Sequence, residues 1–165
     1  LPISLASLKA GANGRVIAFE PRPLNLRFLH GHIRANNLAN VTVIESCVGE
    51  ASGEARFDTN TGTGTGHLSA DGELSVKLVA LDELVRDGKI PAPNLIKMDV
   101  EGAELQALAG ADNVIRASRP TMLVSTHGHQ NHDGVLKFFA LRSYSVELIQ
   151  PKRPNGDAEV IARPR

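Results

Sequence analysis

The sequence predicts a three-layer α/β domain built on a mostly parallel sheet, and three observations lead to this fold class. Apolar runs of four or five residues, the length of buried strands, alternate with segments of helical period. Continuous apolar runs of this kind are typical of parallel strands covered on both faces. The chain has 165 residues, 42% of them hydrophobic, which is enough for one substantial core and too few for two. We therefore predict a single domain over residues 1–165.

The first half of the chain has the pattern of a βαβ unit. The opening segment is amphipathic, with apolar side chains at Ile3, Leu5 and Leu8. The first predicted strand, Val16–Phe19, is followed by a helix over residues 24–36 and a second strand at Val41–Ile44. Two parallel strands joined by a helix are the basic unit of a Rossmann-like sheet.

Residues 53–71 are rich in Gly and Thr and interrupt this alternation. We interpret them as an excursion or hairpin over the surface, flanked by short strands at residues 55–57 and 75–79. The run TGTGTG at residues 61–66 follows no buried strand and opens no clear helix, so it lacks the setting of a phosphate-binding glycine loop. A flexible surface turn is predicted there.

The second half of the chain returns to the alternating pattern. Asp82 is predicted to cap a short helix that ends near Gly88, and the strand Leu95–Met98 follows. The remaining predicted elements are a helix at residues 102–108, a strand at Thr121–Thr126, a helix at residues 134–141, and a closing strand pair at residues 144–149 and 159–162.

Composition restricts the classes of partner. Lys and Arg together number 18, as do Asp and Glu, so the chain lacks the positive charge typical of nucleic-acid binding. No apolar run approaches the roughly 20 residues that span a bilayer. The single cysteine, Cys47, excludes an intrachain disulfide and favours the cytoplasm. We expect a small molecule or another protein as partner. The chain does not begin with Met, which suggests that its natural beginning is absent.

Polar residues directly after three predicted strands are the candidate site residues, because ligands of open α/β sheets bind outside the carboxyl ends of the strands. These residues are Glu20, Asp99 and His127. Glu20 has two interpretations. It either accepts hydrogen bonds from ribose hydroxyls, with the glycine-rich turn located before Leu1, or it caps the helix after Pro21.

The stretch DVEGAE places three carboxylates, Asp99, Glu101 and Glu104, just after the strand Leu95–Met98. A helix start stabilises one or two acidic residues through its macrodipole. Asp99 directly follows the apolar strand and is not explained in this way. We therefore predict a functional role for Asp99, an ordinary helix-start role for Glu104, and leave Glu101 open between the two.

Three motifs in order resemble the FkbM-type methyltransferases, a family of S-adenosylmethionine-dependent enzymes that mostly methylate hydroxyl oxygens. The first is GRVIAFEPRP with NVTVIESCVG after it, the second is LDEL with PNLIKMDVEGAELQALAGA, and the third is RPTMLVSTH. The resemblance implies a class I methyltransferase fold whose last strand is antiparallel and whose first strand is missing from this fragment. It also implies S-adenosylmethionine as cofactor and a small-molecule or glycan acceptor.

Carried over to this sequence, the resemblance implies a donor site. Glu20, with Pro21 beside it, would hold the ribose hydroxyls, and Ser46 and Cys47 would lie beside the adenine. Asp99 would lie near the sulfonium, where a carboxylate can hold and position positive charge.

The same resemblance, together with its position at a strand end, makes His127 the candidate acceptor of the hydroxyl proton, with a structural histidine as the alternative. Asp99 and Glu101 are the other candidate catalytic residues. Ser125 stands where the family usually has Glu. Asp99, Glu101 and His127 could hold a divalent cation, but their spacing does not require one, and no metal is predicted.

Two alternative functions remain open from the sequence. The segment THGHQNHDG, with His127, His129 and His132, is similar to the zinc motif of metallo-β-lactamase-type hydrolases. Asn131 replaces the Asp of that motif, and no histidine follows His132. The second alternative is a non-catalytic α/β module that does not bind the methyl donor.

Overall fold

The computed structural model describes residues 2–58, 67–150 and 153–165, and it confirms the α/β class. Its elements in chain order are α1 (Pro2–Ala10), β1 (Val16–Phe19), α2 (Pro23–Ala35), β2 (Val41–Ile44), β3 (Cys47–Val48), β4 (Gly53–Asp58), β5 (His67–Leu68), β6 (Leu74–Val79), α3 (Leu81–Arg86), β7 (Leu95–Met98), α4 (Glu104–Ala109), α5 (Asp112–Ser118), β8 (Thr121–Thr126), α6 (His129–Ala140), β9 (Tyr144–Leu148) and β10 (Ala158–Pro164). No helix among these is long and apolar enough to cross a membrane.

The sheet that carries most of the core has the strand order β7-β8-β10-β9. Strands β7 and β8 are parallel, and Leu95 aligns with Thr121. Strand β10 lies antiparallel between β8 and β9, so that Val160 faces Val124 on one side and Leu148 on the other. The predicted closing pair and the antiparallel last strand are therefore confirmed.

Strands β1 and β2 form a separate parallel pair, in which Val16 aligns with Val41. Within residues 2–58, 67–150 and 153–165, β1 pairs with β2 alone, β7 pairs with β8 alone, and no strand joins the two pairs. Leu95, at the start of β7, is 57% exposed although its sequence setting is that of a buried strand. The strand expected between β1 and β7 stays a prediction.

Helices α4, α5 and α6 and the β7-β8-β10-β9 sheet enclose one main core. Its fully buried side chains include Leu108, Ile115, Met122, Val135, Phe139 and Val160. Burial of each such side chain stabilises the fold by about 1.5–3 kcal/mol. This core fixes β7 and β8 side by side and so determines where their carboxyl ends project.

Asp82 caps a helix, but the prediction that it caps α3 is wrong. Helix α3 begins at Leu81, after Ala80, so Asp82 lies within its first turn. The Asp82 carboxylate instead accepts hydrogen bonds from the backbone N–H groups of Asn113 (3.0 Å) and Val114 (2.8 Å). It therefore caps α5, a helix that the sequence analysis did not predict, from 31 residues away.

Helix α6 begins at His129, five residues before the predicted start at residue 134. Gly134 is inside the helix rather than at its beginning. A Cβ atom at Gly134 would lie 2.8 Å from Leu105 Cδ1, so the glycine allows α6 to approach α4 closely. Packing between helices explains this glycine, whereas the sequence pattern alone indicated a helix boundary.

The opening helix is present, but its predicted apolar face is not buried. Leu5 and Leu8 are 59% and 74% exposed. Polar contacts hold α1 in place instead, because the buried Ser7 hydroxyl donates to Asn40, which in turn donates to the Ser7 carbonyl oxygen (3.1 Å).

The middle excursion is a small sheet with the order β3-β6-β4-β5. Strand β4 pairs antiparallel with β6, as the flanking strand prediction requires, and β3 pairs parallel with β6. The predicted turn at residues 61–66 lies outside the described residues.

Candidate active site

A cavity of about 270 Å³ lies at the carboxyl ends of β1 and β7, beside the segment between β2 and β3. The candidate donor-binding residues all line it: Glu20, Pro21, Ser46, Cys47 and Asp99. A wider groove of about 690 Å³ runs along α2, beside Phe28 and Arg34, but it contains none of these residues. The smaller cavity is therefore the candidate site.

Glu20 ends β1 and has two local hydrogen-bond donors. One carboxylate oxygen accepts from the Arg22 backbone N–H (2.9 Å), and the other accepts from the Asn25 side chain (3.2 Å). The first contact lies at the start of α2, as the capping interpretation requires, and the carboxylate also lines the cavity, as the ribose interpretation requires. The two interpretations are geometrically compatible.

Ser46 and Cys47 form a buried wall of the cavity, with 3% and 8% of their surfaces exposed. Burial, with a smaller contribution from the negative charge of Glu20, raises the pKa of the Cys47 thiol to about 12. The thiol is therefore neutral at physiological pH and is not a nucleophile. A neutral, small, buried pair is suited to packing against a flat ring.

Asp99, Glu101 and His127 converge at the edge of this cavity because β7 and β8 are neighbouring parallel strands. His127 Nε2 lies 3.8 Å from an Asp99 carboxylate oxygen and 3.5 Å from a Glu101 oxygen. Glu101 adopts a left-handed backbone conformation (φ 51°), and Gly102 follows with φ 98°. This tight turn brings the Glu101 carboxylate back toward the strand ends.

The three side chains offer ligand atoms that all lie within 4.8 Å of one another. Asp99 is 45% and Glu101 41% exposed, and Lys97 pairs with Asp99 at 3.2 Å. That this site binds no metal stays a prediction, because exposed acidic groups commonly lie together without an ion.

Glu104 is the residue of this site that the sequence analysis assigned to helix-start electrostatics. The structure places its side chain, which is fully buried, directly behind His127. One carboxylate oxygen lies 2.8 Å from His127 Nδ1 and accepts from the Gly102 N–H (3.1 Å), and the other accepts from Asn131. Helical spacing could have found it, because Glu104 shares a face with the core residues Ala107 and Leu108.

Opposing effects act on the pKa of His127. Partial burial is the largest single effect and lowers this pKa, but the hydrogen bond to Glu104 and the charges of Glu104, Glu101 and Asp99 outweigh it. The pKa of His127 is therefore raised above its ordinary value. A base with a raised pKa binds a proton more strongly, and it is available in neutral form only at correspondingly higher pH.

The three histidines of the zinc alternative do not converge. His132 is buried, with Nδ1 2.9 Å from the Thr126 hydroxyl, and His129 Nε2 lies 3.1 Å from the Pro154 carbonyl oxygen. Within the part of the chain that the structure describes, His127 is the one histidine that belongs to a group of three or more metal-ligating side chains. The zinc hydrolase alternative is therefore not favoured.

The fold defines a class. Parallel strand pairs β1-β2 and β7-β8 within an α/β domain whose last strand is antiparallel have the fold of class I methyltransferases. The family model described as the methyltransferase FkbM domain matches residues 2–146. The chain belongs to this family, which confirms the resemblance carried by the three sequence motifs.

Individual relatives agree with this assignment. Hexuronic acid methyltransferase AglP from Haloferax volcanii is 30% identical over 141 residues, which are 84% of this chain and 58% of AglP. The crystal structure of methyltransferase FkbM from Methylobacillus flagellatus KT is 25% identical, has a TM-score of 0.71, and matches 97% of this chain and 40% of its own. A Streptococcus mutans methyltransferase solved in complex with SAH, 14% identical with a TM-score of 0.50, covers 90% of this chain and 75% of its own and shares the fold.

Proposed function

We propose that this chain belongs to an enzyme that uses S-adenosylmethionine to methylate a hydroxyl oxygen of a glycan or small molecule. The observation that carries the proposal is the convergence of His127 with Asp99 and Glu101, two residues that line the same cavity as Glu20 and Ser46. Family membership supports the reaction class. The chain spans 58% of AglP, so the activity proposed is that of the whole protein.

The residues that line the cavity fit S-adenosylmethionine, which when bound supplies a methyl group on a positively charged sulfur. Glu20 would accept hydrogen bonds from the ribose hydroxyls, with Pro21 fixing the backbone beside it. Ser46 and Cys47 would pack against the adenine. Asp99 would hold the positive charge in place, since a nearby carboxylate stabilises a cation most in a site that excludes water.

His127 would accept the proton of the acceptor hydroxyl at Nε2, which is the ring nitrogen that faces Asp99 and Glu101. An alcohol is a weak nucleophile until its proton begins to leave, so a base at this position raises the rate of methyl transfer. Glu101 would share the proton after transfer, because its carboxylate lies 3.5 Å from Nε2.

The acceptor class follows from the relative with a curated name. AglP is named a hexuronic acid methyltransferase. We propose that the acceptor of this chain is likewise a glycan that contains a uronic acid. Arg22 lines the cavity and would bring positive charge toward a carboxylate on such a sugar. The balanced net charge argues against a nucleic-acid acceptor, and a single buried thiol favours the cytoplasm.

The test uses the longest natural chain that contains this sequence, S-adenosylmethionine with a labelled methyl group, and oligosaccharides that contain glucuronic acid. The expected product is an alkali-stable methyl ether, and His127→Ala should lower kcat by about 10²–10⁴-fold. An alkali-labile methyl ester would refute the hydroxyl assignment, because a carboxylate is already ionised and needs no base. Failure of that longer chain to bind the donor by calorimetry would instead support the non-catalytic module.

A further inference from the structure

We propose that Glu104 is a positioning residue, which holds His127 with the proton on Nδ1 and leaves Nε2 free to take a proton from the acceptor. The inference rests on the proposed function for its catalytic meaning, since His127 is the base there. The tautomer itself is a property of the folded chain and can be tested without any acceptor.

The contacts of Glu104 fix which ring nitrogen carries the proton. The Gly102 backbone N–H and the Asn131 side-chain amide both point at this carboxylate as donors. Because both of these groups donate to the Glu104 carboxylate, it faces His127 as an acceptor, with one oxygen 2.8 Å from Nδ1. Nδ1 must therefore donate. A neutral imidazole carries one ring proton, so Nε2 is left with its lone pair on the side of Asp99 and Glu101, which line the cavity.

The complete burial of Glu104 argues against a purely electrostatic role at the helix start. The macrodipole stabilises an acidic residue at the surface of the first turn, where water still solvates the charge. Glu104 has no exposed surface. A buried carboxylate needs specific donors to offset the loss of hydration. Glu104 has three of them: His127 Nδ1, the Gly102 N–H and the Asn131 side-chain amide.

Charged groups surround His127 on every side that packs against it. Glu104 faces Nδ1 of the ring. The carboxylates of Asp99 and Glu101 face Nε2, and Asp99 is also paired with Lys97. In the loop before β10, the Asp157 carboxylate accepts from the Gly128 N–H at 3.0 Å and so anchors the residue after His127. Glu104 is the one among these carboxylates that touches Nδ1 in the described part of the chain, so its removal should change the tautomer selectively.

The proton balance of the proposed step is simple. The hydroxyl O–H bond breaks and its proton goes to His127 Nε2, while the oxygen forms a bond to the methyl carbon. The carbon–sulfur bond breaks, and its electron pair stays on sulfur. The resulting imidazolium lies between Glu104 on one side and Asp99 and Glu101 on the other, and it returns the proton to solvent through its exposed edge.

The test is nuclear magnetic resonance of the ¹⁵N-labelled histidine rings in this chain, with the His127 signals assigned from His127→Gln. Above its pKa, the wild-type ring should show the Nδ1–H tautomer. Glu104→Gln keeps an acceptor oxygen but removes the charge, so the His127 titration midpoint should move to lower pH. Glu104→Leu removes the acceptor, and the ring should shift toward the Nε2–H form. His132, bonded to Thr126, serves as the internal control and should not change.

Two results would overturn the inference. The first is an Nε2–H tautomer in the neutral wild-type ring, which needs no variant and so does not depend on how well Glu104→Leu folds. The second is a His127 midpoint in Glu104→Gln equal to that of the wild type. Full methyl transfer by His127→Ala would refute the base in the proposed function and would leave the tautomer result standing, so the two failures are distinguishable.

Discussion

Burial differs sharply among the four ionisable side chains at the edge of the candidate site. Asp99 and Glu101 are 45% and 41% exposed, His127 is 27% exposed, and Glu104 is fully buried. An exposed carboxylate can exchange water for a ligand at little cost, whereas a buried one is committed to its protein partners. The outer pair is therefore suited to contact donor and acceptor, and the inner pair to hold and transfer a proton.

Asp99→Ala should abolish methyl transfer without unfolding the protein. Loss of a preorganised charge beside the reacting group lowers kcat by about 10²–10³-fold. The ion pair with Lys97 is exposed, so its loss changes the free energy of unfolding by at most about 1 kcal/mol. Turnover and thermal melting of the longest natural chain would measure both, with Asp99→Asn as the isosteric control. Retained turnover in Asp99→Ala would contradict the assignment.

Folding stability should depend on pH through His127. Its folded-state pKa lies above the ordinary value of about 6.5, so the stabilising contribution is complete below that pH and is lost as the pH rises through the raised pKa. The urea midpoint of the wild type should therefore fall over the range just above pH 6.5. His127→Gln should show a shallower dependence there. Equal slopes for the wild type and His127→Gln would contradict the prediction.

The sequence predicted Asp99, Glu101 and His127 because each directly follows an apolar strand or lies in the turn after it. Their convergence follows from the general rule that neighbouring parallel strands end at the same edge. The role of Glu104 was missed because an acidic residue in a first helical turn already has an adequate local explanation. Helical spacing could indicate that its side chain points inward, but only the fold shows that it meets a histidine 23 residues later.

The end of α4 lies very close to the backbone of the small sheet. Gly110 follows this helix, and a Cβ atom there would lie 2.0 Å from the Gly49 backbone carbonyl oxygen, beyond the end of β3. The Gly110 carbonyl oxygen also accepts from the Asp82 N–H at 2.8 Å. At Gly110 the end of α4 therefore meets the small sheet through backbone atoms, and no side chain at this contact could move aside.

Gly110→Ala should therefore destabilise the fold by about 1–3 kcal/mol, the usual cost of overpacking. The matched control is Gly31→Ala in α2, where nothing lies within 4 Å of the new Cβ atom. That substitution should stabilise the helix by about 0.5–1 kcal/mol. Chemical denaturation of both variants measures the difference, and effects of the same sign would contradict the packing argument.

Strands were predicted better than helices, and the reason is physical. Four- and five-residue apolar runs such as Val16–Phe19 and Leu95–Met98 mark strands locally. Helix α5 was missed because its cap, Asp82, is 31 residues away in sequence, so no local capping signal exists. The start of α6 was misplaced because Gly134 serves contact with Leu105 rather than helix termination.

For the whole molecule, the arrangement of β1 and β7 bears most directly on donor binding. Their carboxyl ends line one cavity, yet they belong to different sheets within the described residues. The relative positions of Glu20 and Asp99 are therefore set by side-chain packing and not by strand pairing. Within the described residues, hydrogen bonds between strands therefore do not fix the distance between these two carboxylates.

We predict that this chain alone binds S-adenosylmethionine weakly, and that a longer natural chain supplying a strand between β1 and β7 binds it more tightly. Isothermal titration calorimetry on the two forms would measure the difference. Glu20→Ala in the longer chain should weaken binding, and the surface substitution Asp87→Ala should not. Micromolar binding by the present chain would refute the prediction.

Cys47 gives this molecule a chemical reporter at the wall of its candidate donor cavity, because it is the single cysteine of the sequence. With a pKa of about 12, its reactive thiolate fraction at pH 8 is on the order of 10⁻⁴, against roughly a quarter for an ordinary thiol. Iodoacetamide should alkylate the folded chain far more slowly than the urea-unfolded chain, and bound S-adenosylmethionine should slow the reaction in the longer chain further. Mass spectrometry would then follow the opening of the cavity over time without any added label, and equal alkylation rates for folded and unfolded chain would show that the wall is open to solvent.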